Sequence, residues 1–379
     1  MPMSCVSLPW AMLCVLIRKP NKKIMKLLNV AVMMFCLSCL MPGCGADRVD
    51  FSVVERKDDI VGGGSQAGGS SADTPAVQTP FGRKSRIADV MADTAFGSYG
   101  RLLFPVQRGY WSGETLEELR LSYYNYIDPD MTVEIVNYLH NRAKNGETVF
   151  YDIYSDAEKN SDPAKRDTGL FFFKGRKGAR FAVCNAGGAF AYVGAMHDSF
   201  PHALSLARKG YNAFALIYRP GAQTACEDLA RAISFVFAHA DELGVDTSCY
   251  SLWGGSAGGR MAAWVSGYGT AVFGGDALPK AGTAVIQYTG LADYSRDDVP
   301  TYACVGSSDG IASWRVMKSR LDGLSALGIS TEFHVYDGLP HGFGLGTGTV
   351  AEGWIDDAVR FWEKQMPANG SAGVEPVKY

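Results

Sequence analysis

Three reactive side chains in this chain stand beside glycines, and each follows an apolar run. Ser256 lies in residues 250–261, which read as a short apolar strand, then Gly254-x-Ser256-x-Gly258, then a helix opening at Ala257. Asp309 closes Gly306-Ser307-Ser308-Asp309 behind the run 301–305, and His341 sits in Gly338-Leu339-Pro340-His341-Gly342-Phe343 behind the run 332–336. A serine hydroxyl becomes a nucleophile when an imidazole takes its proton and a carboxylate orients that imidazole. A serine on a sharp strand-to-helix turn suits this role. Small neighbours let strand and helix pass close, and the helix N-terminus faces the charge that develops. The motif alone is weak. With 44 glycines in 379 residues, a Gly-x-Ser-x-Gly arises by chance roughly 0.4 times in such a chain, so the elements around it must decide.

Those elements alternate. Apolar strand-like runs occupy 149–154, 170–173, 181–184, 212–218, 250–253, 284–288, 301–305 and 332–336. Helical patterns lie between or after them, at 199–209, 225–243, 257–266, 313–327 and 352–365. Asp198 or Ser199 is placed to cap the first of these helices with Pro201 in its first turn, and Thr224 with Glu227 spells a capping box for the second. Strands alternating with such helices predict a mostly parallel sheet covered on both faces. In such sheets sites gather at the C-terminal strand ends. Ser256, Asp309 and His341 meet that test, in the chain order Ser, Asp, His. Asp293 and Asp337 also follow strands and are alternative acids. His197 and His202 follow the Gly-rich Asn185-Ala186-Gly187-Gly188-Ala189-Phe190 and are within reach of a site there, whereas His140, His239 and His334 fall inside helices or a strand.

Composition bounds the rest. A 47% hydrophobic and 12% aromatic chain has enough apolar matter for a sizeable core, and a net charge of -3 argues against a nucleic-acid partner. Five of nine cysteines lie at or before Cys44. The other four match no metal spacing, and Cys226 with Cys249 is the pair open to bridging. Lys22, Lys23 and Lys26 precede an apolar run, 27–41, that ends in Met41-Pro42-Gly43-Cys44. That order resembles a bacterial lipoprotein signal with Cys44 as the lipidated residue and Cys39 as the second choice; a plain secretory signal or signal-anchor is the alternative. The expected organisation is a signal segment at 1–44, a flexible linker at 45–95, a small helical cap of two short helices at 96–147 entered for its second helix at Pro129, a catalytic domain at 148–366 and a tail at 367–379. Within the linker, residues 62–80 are Gly/Ser/Pro-rich and read as a tether.

Residues 182–193 (AVCNAGGAFAYV), the Ser256 turn, and Asp309 with His341 together resemble the esterase branch of the α/β-hydrolases. Within it the chain is similar to secreted bacterial esterases that remove acetyl or feruloyl groups from plant polysaccharides. The resemblance spans roughly 148–366. It implies the α/β-hydrolase fold, Ser256 as nucleophile, His341 as base and then acid, and Asp309 as its orienting carboxylate. It further implies an oxyanion hole from the amide of Ala257 and that of Gly187 or Gly188, with no metal or organic cofactor. The chain departs from the family's His-Gly-Gly-Gly loop, because Asn185 and Ala186 stand before the glycines and Ala189 after them. The expected activity is serine-dependent hydrolysis of a small-molecule or polysaccharide ester by an exported, membrane-tethered protein. A peptidase or lipase on the same scaffold and a non-catalytic binding protein are the alternatives.

Overall fold

Runs of β-branched and aromatic residues set the strands, and their burial on both faces sets the sheet's place at the centre. The computed structural model describes residues 80–367. The expected signal segment with Cys44 and Cys39, the tether, and nearly all of the tail lie outside the described residues. Among the described residues ten strands run in chain order: β1 Trp111–Ser112, β2 Arg120–Leu121, β3 Phe150–Tyr151, β4 Gly169–Phe173, β5 Arg180–Asn185, β6 Asn212–Ile217, β7 Asp246–Gly255, β8 Thr283–Gln287, β9 Thr301–Gly306 and β10 Thr331–Tyr336. β1 and β2 form a small antiparallel pair. The others form one sheet in the order β3-β4-β6-β5-β7-β8-β9-β10. β3 and β4 join antiparallel, and the six strands from β6 to β10 are parallel. This is the mostly parallel sheet that the alternating pattern predicts, in the α/β-hydrolase arrangement that the resemblance implies. Every residue of β4, β6, β8 and β9 is buried, as a sheet covered on both faces requires.

The α-helices are α1 Ile87–Ala92, α2 Pro129–Lys144, α3 Asp156–Ser161, α4 Ala195–Asp198, α5 Phe200–Arg208, α6 Ala222–Ala238, α7 Ala240–Leu243, α8 Ala257–Tyr268, α9 Trp314–Ala326 and α10 Trp354–Gln365. α6 packs on α8, and α2 on α5. α5 meets α10 through an edge-on contact of His202 with Trp354, at 5.4 Å between ring centres. Between these layers lie Trp253, Trp354 and Trp362, all buried. The chain reverses direction of travel across the sheet at β5: β6 is laid on one side of it and β7 on the other. A crevice opens at such a switch point, beyond the C-terminal strand ends.

Several expectations need correction. The linker does not run to residue 95. Phe81 is already buried, its N–H donates to Asn137 Oδ1 at 3.1 Å, and its carbonyl accepts from Asn137 Nδ2 at 2.8 Å. α1 follows and buries Ile87 and Val90; the polar run 82–86 masks these anchors in the sequence. The cap has one helix where two were expected. α2 begins as predicted, with Pro129 in its first turn and the Asp128 side chain accepting from the N–H groups of Asp130 and Met131. The residues before it form 3-10 turns at Thr94–Leu103 and Leu116–Glu118 and the β1–β2 pair. The box of Thr115 and Glu118 closes only a single turn, and Gly109 and Gly113 take left-handed φ values of 97° and 111° that end regular structure between them. α6 starts at Ala222 behind Gly221, so Thr224 lies inside the helix and caps nothing. Neither Asp198 nor Ser199 caps α5 through a side chain. All four described cysteines are free, so Cys226 and Cys249 are not bridged.

Past the end of β6, Arg219 is buried against Asp228 of α6. Its Nη2 donates to Asp228 Oδ1 at 2.6 Å and its Nη1 to Asp162 Oδ2 at 2.5 Å, while Tyr154 donates its hydroxyl to Asp228 Oδ1 at 2.6 Å. Removing one partner strands a buried charge, which typically costs about 3–5 kcal/mol. Asp228→Ala is expected to lose stability in that range by urea denaturation. Arg219→Met combined with Asp228→Leu should lose far less, and equal losses would show that the charge pairing is not what matters. His202 supplies a pH effect. It is 2% exposed, and burial holds its pKa below the ordinary 6.5. The unfolded chain therefore takes up that proton more readily. The stability contribution is full above pH about 6.5 and falls as pH drops below it. Thermal unfolding should come earlier at pH 5.5 than at 7.5, with a flatter dependence in His202→Gln.

Candidate active site

β7 ends at Gly255 and α8 begins at Ala257, which leaves Ser256 alone on the turn between them. Its φ of 51° is strained for a residue with a Cβ. The strain is locked in by the Ser256 N–H, which donates to Gln287 O at the end of β8 at 2.9 Å. Close passage of the backbones fixes the neighbouring glycines: a Cβ on Gly254 would be driven into the backbone of Gly258, and one on Gly258 into the carbonyl of Asn185. β5 and β7 are tied at this level by Asn185 Nδ2, which donates to Trp253 O at 2.9 Å.

The three predicted side chains meet. His341 Nε2 lies 3.1 Å from Ser256 Oγ, and its Nδ1 lies 2.8 Å from Asp309 Oδ2. Its protonated Nδ1 donates to the carboxylate, and Nε2 then accepts from the serine hydroxyl. His341 is 6% exposed and the Asp309 side chain has no exposed surface. Asp309 is held from behind, where its Oδ1 accepts from the N–H groups of Ile311 at 2.8 Å and Ala312 at 2.7 Å. The turns bearing the two residues are stitched to each other. Ser307 Oγ donates to Asp337 Oδ1 at 2.9 Å and accepts from the Gly338 N–H at 2.8 Å. Asp337 is therefore a brace of the turns, and Asp293 lies elsewhere, its carbonyl accepting from Arg320 Nε. The remaining histidines do not reach Ser256. His197 Nε2 donates to Gly342 O at 2.7 Å and His202 Nδ1 to Asp198 O at 2.7 Å. His140 lies 3.4 Å from Asp93, His239 bonds Phe235 O, and His334 pairs with Glu332.

The oxyanion candidates separate. Ala257 opens α8, so its N–H is one of the first-turn amides that a helix leaves without an internal acceptor. Gly187, expected as one of two alternatives for the second donor, has its N–H directed at Asp198 Oδ2 at 2.9 Å. That amide is taken, whereas the N–H of Gly188, the other alternative, has no acceptor among the described residues. The turn of Gly188 is closed by its own carbonyl, which accepts from the N–H groups of Ala191 and Tyr192.

Sequence reasoning missed the side chains around the triad. Tyr288, directly after β8, sets its ring edge-on to His341 at 4.9 Å and to Phe343 at 5.0 Å. Tyr124, from the N-terminal segment, packs on His197 at 4.6 Å. Both hydroxyls donate to Asp198. Tyr288 carried the same strand-end signal as the triad; nothing local marked Tyr124. A cavity of about 200 Å³ borders His341, walled by Asn125, Tyr126 and Asp128 on one side and Met131, Met196 and Phe343 on others. Tyr126 is 65% exposed.

Comparison with known proteins adds to this geometry. Residues 174–288 match the BD-FAE family. The matched span holds the Gly187–Gly188 loop, the Ser256 turn and Tyr288, and it stops short of Asp309 and His341. No curated protein matches. Among solved structures, an acetyl ester-xyloside bifunctional hydrolase from Caldicellulosiruptor lactoaceticus is 20% identical over 57% of this chain and 95% of its own, with a TM-score of 0.49. MGS-M1, an alpha/beta hydrolase enzyme from a Medee basin deep-sea metagenome library, is 19% identical over 52% of this chain and 92% of its own, with a TM-score of 0.44. Esterase 2 of Thermogutta terrifontis, in the form phosphorylated by paraoxon, is 20% identical over 52% of this chain and 89% of its own, with a TM-score of 0.44. The strand order and the serine on the turn between β7 and α8 are those of the α/β-hydrolase fold, and the centre of the chain is similar to the BD-FAE family.

Proposed function

We propose that this protein is a serine esterase that hydrolyses carboxylic esters through an acyl-enzyme and removes acetyl or feruloyl groups from carbohydrate. The observation that carries the reading is the relay from Ser256 Oγ to His341 Nε2 at 3.1 Å and from His341 Nδ1 to Asp309 at 2.8 Å. Ser256 attacks the ester carbonyl as His341 takes its proton, and Asp309 stabilises the imidazolium. The N–H groups of Ala257 and Gly188 face the oxyanion, a role worth about 3 kcal/mol per donor. The tetrahedral intermediate collapses, the C–O bond to the alcohol breaks, and His341 returns the proton to the leaving oxygen. Water repeats the sequence on the acyl-enzyme, restores the serine and releases the acid.

The leaving alcohol is protonated from His341, so we assign it to the His341 side of the site, where the cavity rimmed by Tyr126 lies. An exposed aromatic ring beside a pocket with polar rim groups suits the apolar face of a sugar. The chain's setting belongs to the same proposal: export, with Cys44 as the lipid anchor that holds the domain near its polymeric substrate.

Purified protein is expected to hydrolyse p-nitrophenyl acetate, and Ser256→Ala to lose at least about a thousandfold in kcat with an unchanged circular dichroism spectrum. Turnover by that variant at the parent rate would remove Ser256 as nucleophile. Mass spectrometry of acetylated and feruloylated oligosaccharides before and after treatment tests the substrate class; cleavage of peptides without cleavage of these esters would overturn it. In the same assay Tyr126→Ala should lower kcat/KM on acetylated oligosaccharide by about fivefold, within what one contact group contributes to binding. Its rate on p-nitrophenyl acetate should stay within about twofold of the parent.

A further inference from the structure

Asp198, the last residue of α4, is fully buried, and no Lys or Arg among the described residues forms an ion pair with it. Three donors converge on its carboxylate instead. Tyr124 donates to Oδ2 at 2.8 Å, the Gly187 N–H donates to Oδ2 at 2.9 Å, and Tyr288 donates to Oδ1. A buried polar group is tolerated when it is hydrogen-bonded in this way. The donors come from three distant pieces of chain: the N-terminal segment, the loop after β5 and the end of β8. A fourth piece lies against the same oxygens without bonding them. A Cβ on Gly255, the residue before the nucleophile, would stand 2.5 Å from Oδ2 and 2.6 Å from Oδ1. A Cβ on Gly187 would stand 2.7 Å from Oδ2 and 2.9 Å from the Cβ of Ser256. The carboxylate thus fills the space directly behind both the nucleophile turn and the oxyanion loop, which accounts for glycine at the open position of the Gly-x-Ser motif.

We propose that Asp198 is a positioning residue that clamps the oxyanion loop, the N-terminal segment and the support of His341 into one reactive geometry. The inference rests on the esterase reading above. Through Gly187 the clamp fixes the peptide that precedes the Gly188 amide. Through Tyr288 it fixes the ring that meets His341 in a T-shaped contact at 4.9 Å and 62°. Through Tyr124 it fixes a ring that abuts Gly342, next to His341 in the chain, since a Cβ on Gly342 would stand 2.6 Å from Tyr124 Cδ1. Burial, and then the charge of Asp198, push the Tyr124 and Tyr288 hydroxyls well above their ordinary range, so both remain donors. Asp198 touches neither substrate nor reacting atoms, and its effect passes through the groups that do.

The test compares Asp198→Asn, Tyr124→Phe and Tyr288→Phe with the parent on p-nitrophenyl acetate, with functional sites counted by fluorophosphonate labelling of Ser256. Asparagine keeps the shape but must present an N–H₂ to one set of donors. It should lower kcat per labelled site at least about tenfold, with KM within about twofold, and slow labelling in parallel, because a misplaced oxyanion donor affects the transition state more than binding. Each Tyr→Phe variant removes a single donor and should lower kcat per site about three- to tenfold. A purely structural role would instead lower the melting temperature and the number of labelled sites while kcat per site stayed within twofold, and that outcome in folded Asp198→Asn would overturn the proposal. Should Asp198→Asn fail to fold, unchanged kcat per site in both Tyr→Phe variants would overturn it. A parent protein that neither turns over the ester nor takes the label would instead overturn the esterase reading and this inference with it.

Discussion

The imidazole of His341 has to be gripped from two sides, by a carboxylate at Nδ1 and a hydroxyl at Nε2, at distances that leave little room for error. Asp309 lies 32 residues before it and Ser256 lies 85 before it, so no local turn can bring the three together. The parallel sheet does so. β7, β9 and β10 deliver their C-terminal ends to one rim, with β8 between β7 and β9, and the turn after each strand inherits that position. The packed layers of helix on both faces keep the strand ends from sliding, and a close-packed interior transmits little slack. The fold can be understood as the means of holding one ring.

The second constraint is proximity of backbones. The Ser256 turn forms only if β7, α8 and the loop after β5 come within contact of one another, and the positive φ of Ser256 is tolerated because neighbours over-determine it. The switch in strand order at β5 places the loop of Gly188 and the turn of Ser256 at neighbouring strand ends, where a crevice opens. The carboxylate of Asp198 fills the remaining volume beneath them. Glycine at Gly187, Gly254, Gly255 and Gly258 then follows from distances to specific atoms, and the concentration of glycine around Ser256 has a separate cause at each position.

Much of this was legible in the sequence because periodicity reports burial. The fully buried strands read as unbroken apolar runs, and placing Ser256, Asp309 and His341 at strand ends required only that the alternation be real. The failures have physical causes of their own. Phe81, Ile87 and Val90 were hidden by the polar run 82–86, and the anchoring of Phe81 depends on Asn137, more than fifty residues away. The first of the two expected cap helices shrinks to a single turn at Leu116–Glu118, because a capping box fixes only the first turn and Leu119, at ψ 125°, leads the chain straight into β2. Asp198 illustrates the deepest limit. Before a Ser-Phe-Pro sequence it has the form of a helix cap, and only tertiary structure shows that its carboxylate turns inward to tyrosines 74 positions before it and 90 after. The choice between Gly187 and Gly188 was undecidable for the same reason, since it turns on which amide that carboxylate takes.

β10 carries the turn with His341, and it is the last strand of the sheet, bonded to β9 on one flank only. Its residues are the least covered of the parallel strands, and its far end relies on the Ser307, Asp337 and Gly338 stitches to stay in register with its neighbour. Local opening of a protein starts where burial and backbone pairing are thinnest. His341, the proposed base, therefore hangs from the margin most prone to fraying, while Ser256 is rooted in the middle of the sheet. Mild denaturant should part His341 from Ser256 by unzipping one border, at a concentration where the interior still resists and spectroscopy still reports an intact molecule.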